Sequence, residues 1–177
     1  MNLALLALRL VIGLTFSAHG AQKLFGAFGG HGIEGTGGFF GQIGLRPGRL
    51  HAWVAGAAEF FGGLAIALGF VTPIAAAALI GVMTAAVITV HLRNGFFNTN
   101  QGFEFNLALV AAVFALAGIG AGSWSLDNVL NIDLTGAGWA LGALGAGLLG
   151  GIGAVASGRL AGREKAGHGG HGHPTPA

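Results

Sequence analysis

Apolar stretches of about 20 residues recur along the chain, the length an α-helix needs to cross a hydrocarbon core roughly 30 Å thick. Five stretches fit. They run from Leu3 to Phe25, interrupted by Arg9, His19 and Lys23; from Ala52 to Val71, with Glu59 inside; from Pro73 to Val90; from Phe103 to Gly120, entered through Glu104; and from Ala137 to Ser157, made almost wholly of Gly, Ala, Leu and Ile. Thr72-Pro73 predicts a tight hairpin between the second and third, with Thr as cap and Pro in the first turn. Gly26 to Leu50 reads as a glycine-rich re-entrant or interfacial loop anchored by Phe39 and Phe40. Trp124 to Leu134 reads as an amphipathic stretch carrying Asp127 and Asp133, with Trp124 and Trp139 at interfacial positions.

Composition turns this pattern into a class. Lys and Arg number 8, Asp and Glu 6, and charged residues make up 8% of the chain, against about 25% in soluble domains. With 53% hydrophobic residues and a mean hydropathy of +0.74, the chain is neither a soluble globule, nor a nucleic-acid binder, nor a disordered segment. The lipid bilayer is its expected partner. Zero cysteines exclude disulfides, thiolate metal sites and a cysteine nucleophile. Glycine stands at 36 residues without a collagen period, which suits close helix packing in lipid.

The expected fold is therefore all-α: a polytopic transmembrane bundle with residues 1–134 as a four-helix core. Residues 135–158 add a fifth helix, and 159–177 form a basic, His-rich tail expected to be disordered. Along the fifth helix, Gly138, Gly142, Ala146, Gly150, Ala154 and Gly158 recur every four positions. That ridge predicts contact with another helix, within the bundle or in a second copy. With five crossings, Lys23, Arg46, Arg49, Arg93, Arg159, Arg163 and Lys165 share one face, so the N-terminus is expected outside and the C-terminus in the cytoplasm. The first stretch is expected to stay as a span, since Gln22-Lys23 offers no small-x-small cleavage site.

Ionisable groups inside spans are expensive and concentrate where function is. Four antiparallel helices direct His19, Lys23, Glu59, His91 and Glu104 toward the basic end of the bundle, with Gln22, Asn94 and Asn106 beside them. Three uses fit. A structural network could pair Glu59 with Lys23 or His91; a proton-relaying quinone site could use Lys23 toward an anionic oxygen and His91 or Glu59 as proton donors; a transition-metal site could use the imidazoles and carboxylates. The Glu-x-x-His pair typical of di-metal bundles is absent. Arg9, near the opposite face, is expected to be structural, with Asp127 as its partner. His168, His171 and His173 form a tract read as a solvated tail or a weak metal binder.

Seven motifs stand in order along these elements: Arg9-Leu-x-x-Gly, His19-Gly-x-Gln-Lys-Leu-Phe-Gly26, Glu59-Phe-x-Gly-Gly63, Gly69-x-x-Thr-Pro73, His91-x-x-Asn-Gly-Phe-Phe97, Gly102-x-Glu-Phe-Asn106 and Ser125-Leu-Asp127. Over about residues 1–130 they resemble the DoxX family of small bacterial membrane proteins. The resemblance implies a four-helix bundle in the bacterial inner membrane, to which the fifth helix and tail are additions. It further implies a membrane subunit of an oxidoreductase complex with a partner subunit, passing electrons from a sulfur or thiol donor to quinone. The alternative is a non-catalytic scaffold or small-solute carrier whose polar cluster is a brace or gate.

Overall fold

The computed structural model describes residues 2–168. Helix α1 (Asn2–Phe25) leads through a 3-10 turn, Ala27–Gly29, to α2 (Gly32–Gln42). Then come α3 (Gly48–Leu68), α4 (Thr72–Ala86), α5 (Glu104–Ile119), the single turn α6 (Leu126–Val129) and α7 (Ala137–His168). Beyond Ala86 the backbone of α4 continues through a π turn, Val87–His91, and a 3-10 turn, Leu92–Asn94. No strand occurs among the described residues, so the all-α expectation holds.

Among the described residues, four helices are long and apolar enough to cross a membrane: α1, α3, Thr72–Asn94 and Ala137–Gly162. The expected fourth span is shorter. Gly120, at φ 87°, stops α5 after 16 residues, about 24 Å of rise. The expected loop at Gly26–Leu50 holds a helix instead. Five of the 11 residues of α2 are glycine, a composition with poor intrinsic helicity, so tertiary packing holds it. Gly37 and Gly48 let it lie directly on α3: a Cβ on Gly48 would strike the Gly37 carbonyl. At the other end of the chain, α7 runs on past Ser157 to His168, so residues 159–168 continue the helix expected to end before them. His171 and His173 of the histidine tract lie outside the described residues.

Glycine sets how closely the helices approach. A Cβ on Gly63 would stand 2.5 Å from the Gly13 carbonyl oxygen and 2.6 Å from the Ser17 nitrogen. A Cβ on Gly20 would run into the backbone of Phe60. Helices α1 and α3 are thus in backbone contact along about two turns, and Ser17 adds a hydrogen bond to the Phe60 carbonyl at 3.1 Å. Helix α7 packs on α4 the same way, through Gly147 against Ile80 and Gly151 against the Gly81 carbonyl. The buried face of α7 is Ala140, Ala143, Gly147, Gly151, Val155 and Gly158. Within the bundle, the contact is thus made beside the expected ridge and not by it. Gly138, Gly142 and Gly150 would meet nothing within 4 Å, and of the six ridge residues Gly158 alone is buried. A period of four drifts around a helix of 3.6 residues per turn, so the six positions cannot stay on one packed face. The main core joins Phe16, Ile66, Leu79, Ile80, Val113 and Leu116.

These contacts set two expected outcomes. Gly63→Val should lower stability by about 1–3 kcal/mol through overpacking, read as a fall in thermal midpoint in detergent. Gly142→Leu should leave the midpoint unchanged.

Candidate functional site

The buried polar residues fall into two groups at opposite ends of the bundle. At the N-terminal end of α1, Arg9 is 1% exposed. Its guanidinium donates to the Ala121 carbonyl at 2.5 Å and to the Trp124 carbonyl, and its buried Nε has no hydrogen-bond partner. Asp127, expected as its partner, is close enough to act as its counter-charge but makes no direct ion pair with it, and its hydrogen bonds go elsewhere. Its Oδ1 accepts the Val71 N–H at 2.7 Å, and its Oδ2 accepts the N–H and hydroxyl of Thr72 at 3.3 and 3.0 Å. Asp127, not Thr72, therefore caps α4, using the unpaired N–H groups that every helix start exposes. Among the described residues the ion pairs are Lys23–Glu59 and Arg49–Glu34. Arg9 and Asp127 act as two separate clamps on the α3–α4 hairpin and the segment after α5. Gly69, between them, is left-handed at φ 65°, and a Cβ there would strike the Arg9 guanidinium. Every donor or acceptor named here but Arg9 Nε is satisfied by the fold itself, so this end is a brace.

The other end differs. Glu59, 2% exposed on α3, accepts from the Lys23 ammonium of α1 at 2.5 Å. The Gly13–Gly63 and Gly20–Phe60 contacts fix the separation that makes this reach possible. The pair borders a cavity of about 710 Å³ among α1, α2, α3, α4, α5 and α7. Its walls are mostly Ala, Gly, Val and Phe, and its polar lining includes His19, Lys23, His51, Glu59, His91 and Asn106. Ligand sites of such size are typically apolar with a few placed polar groups.

His91 owes its place to the π turn, which breaks the 3.6-residue register of α4 just before the helix ends. A carbonyl oxygen can only accept, so the 2.7 Å bond between His91 Nδ1 and the Gln101 carbonyl puts the ring proton on Nδ1. In the neutral ring Nε2 is then the proton acceptor. Asn106, buried at the start of α5, donates to the Met83 sulfur at 3.3 Å.

Three of the expected site residues stand apart from the cavity lining. Glu104 is exposed and accepts the Asn98 N–H at 2.9 Å, bracing the turn ahead of α5. Asn94 donates to the carbonyls of Val90 and Gln101, both at 3.3 Å. Gln22 accepts from His19 Nδ1 at 3.1 Å and donates to the Phe28 carbonyl at 3.3 Å. The structure also adds residues that the sequence reading missed. His51 lines the cavity from the start of α3, and Phe39 and Phe40 of α2 and Ile43 just after it line another side. His51 sits outside the quoted motifs but at helical spacing from Ala55 and Ala58, a signal that could have found it. Among the described residues no group of three or more His, Asp or Glu side chains is arranged to hold a metal ion.

Comparison with known proteins places this architecture. The family model named DoxX matches residues 4–92. The chain belongs to the DoxX family. The match spans α1 through the π turn, so it contains Arg9, His19, Lys23, Glu59 and His91 and leaves α5 to α7 beyond it. The chain is 35% identical over 113 residues, 64% of its own length and 78% of the relative's, to the Bacillus subtilis protein named "Putative oxidoreductase CatD". It is 27% identical over 145 residues, 76% of its length and 86% of the relative's, to an uncharacterized membrane protein of Mycobacterium tuberculosis. No solved structure matches it. Family membership together with the four long apolar helices makes it a multi-pass membrane protein.

For this DoxX chain the ion pair sets a stability test. Glu59→Leu leaves the Lys23 ammonium without its partner in an apolar bundle and should cost about 3–5 kcal/mol, whereas adding Lys23→Met should recover most of that loss. Thermal unfolding of the two single variants and the double one measures the coupling.

Proposed function

We propose that the protein is the membrane subunit of an oxidoreductase complex and that it binds a quinone in the 710 Å³ cavity. The observation that carries this reading is the Lys23–Glu59 ion pair on the wall of a mostly apolar cavity. Such a pair is costly in lipid, and as a structural element alone it is replaceable by apolar residues of similar volume. The relative named as an oxidoreductase supports the same class.

A bound quinone supplies two-electron, two-proton redox chemistry. Lys23, held by Glu59, presents an ammonium that can donate to a ring oxygen and stabilise negative charge there. His91, with its proton fixed on Nδ1, offers Nε2 to take up and release a proton. Phe39, Phe40 and Ile43 line one side of the cavity. Electrons would come from a sulfur or thiol donor on a partner subunit, two thiols yielding one disulfide, two electrons and two protons. This chain has no cysteine to serve as that donor. In this reading the protein lies in the bacterial inner membrane with its basic end, Arg46, Arg49, Arg93 and Arg159, in the cytoplasm and its N-terminus outside.

The test uses the full chain in lipid nanodiscs and a water-soluble benzoquinone lacking a prenyl tail. Wild type should bind it saturably, and the double variant Lys23→Met/Glu59→Leu should fold yet bind about tenfold or more weakly, the loss of one charge-assisted hydrogen bond. Unchanged affinity in a folded double variant would make the ion pair a brace like Arg9, and the scaffold reading would replace this one.

A further inference from the structure

The cavity is polar at one end and apolar at the other, and that asymmetry specifies its ligand further. Lining residues on α4 extend from Ala77 to His91, roughly 20 Å along the helix. At the basic end stand His51, Thr89, His91 and the Lys23–Glu59 pair. At the far end the walls are Ala77, Ala78 and Gly81 of α4 with Ala146 and Gly150 of α7. These present no polar side-chain atom.

The cavity is also open sideways, beside the stretch of α3 between His51 and Glu59. Gly147 and Gly151 press α7 against α4, so the adjoining strip, Ala146, Gly150 and Ala154, faces the gap toward α3. Across that gap stand Val54, Ala55 and Ala58. Val54 lines the cavity and is nonetheless 59% exposed, while Ala146 and Gly150 are exposed too. Helices α3 and α7 meet where Gly158 lies against His51. Above that contact the seam between them is bounded by small side chains and opens onto the surface that faces lipid.

Resting on the quinone reading, we propose that the ligand is a tailed, membrane-dissolved quinone that enters between α3 and α7. Its head lies at the Lys23–Glu59 and His91 end, and its apolar tail lies along Ala146, Gly150 and Ala154. Helix α7, outside the stretch matched by the family model, thus supplies one wall of the tail groove. This assigns the small-residue strip of α7 a ligand in place of a helix partner.

The experiment uses the full chain in nanodiscs and a decyl benzoquinone carrying a diazirine at the end of its tail. On illumination, mass spectrometry should find adducts on residues 54–58 and 146–154. Excess unlabelled decyl benzoquinone should suppress them although phospholipid is present throughout, which separates a quinone from ordinary lipid in the groove. Gly150→Leu, whose side chain enters open space and should not disturb folding, should cut this labelling by about tenfold or more by filling the groove. The same variant should weaken decyl benzoquinone about fivefold or more beyond any effect on the tail-less benzoquinone. Gly138→Leu, equally open but away from the cavity, should change neither measurement. Competed labelling at other helices, or undiminished labelling in Gly150→Leu, would overturn the tail groove and leave the head site standing. Failure of wild type to bind even the tail-less quinone saturably would defeat the quinone reading and this proposal together.

Discussion

Backbone contact between α1 and α3 is the constraint from which the rest of the molecule follows. Helices carrying ordinary side chains pack with axes about 8–10 Å apart, and glycine at the crossing draws them to the near end of that range. Gly13, Gly20 and Gly63 do this here, and the Lys23 ammonium then sits 2.5 Å from Glu59. Wider spacing would leave a carboxylate in an apolar bundle with no cation, a state that costs several kcal/mol. Close packing and the ion pair are one arrangement. The close approach of the helices is what makes the pair possible.

The two ends of the bundle show why buried charge alone says little about function. Arg9 and Asp127 are buried like Glu59, yet their partners are main-chain carbonyls and N–H groups together with the Thr72 hydroxyl. Removing either would orphan carbonyls or helix-start N–H groups, so their presence is explained by structure. The Lys23–Glu59 pair satisfies nothing but itself, and it faces a cavity. What separates brace from candidate site is where the remaining hydrogen-bonding capacity points. An ammonium has three donors, and Glu59 is the one acceptor for Lys23 among the described side-chain hydrogen bonds.

The long helices were legible because a bilayer demands runs of apolar residues, and their ends carry Thr-Pro, glycine or charge. The meeting of His19, Lys23, Glu59 and His91 at one end was legible too, since antiparallel helices of similar length bring equivalent depths together. Depth is not direction, however. Glu104 shares the depth of the cluster, but it sits in the first turn of α5, where an exposed carboxylate is drawn to the Asn98 N–H. Asp127 was paired with Arg9 because opposite charges at one depth attract. Three donors at the start of α4 hold it more firmly than one guanidinium that already had carbonyls. Helix α2 was hidden by its glycines: propensity argues against it, and only its packing on α3 holds it.

Helix α7 shows the same gap between pattern and geometry from the other side. Its sequence is so rich in Gly and Ala that every face looks fit for packing, and nothing local chooses among them. The choice is made by α4, whose Ala77, Gly81 and Thr84 accept Gly147 and Gly151 at backbone distance and so fix the rotation of α7. Once that face is used, the strip a third of a turn away cannot also touch α4, and with α3 held off by the pairing of Gly158 with His51 it is left bordering open space. A cavity wall of this kind costs little in lipid, where hydrocarbon rather than water fills the seam. The helix can therefore bring a small-residue surface to the cavity without destabilising the bundle that α1, α3 and α4 already form.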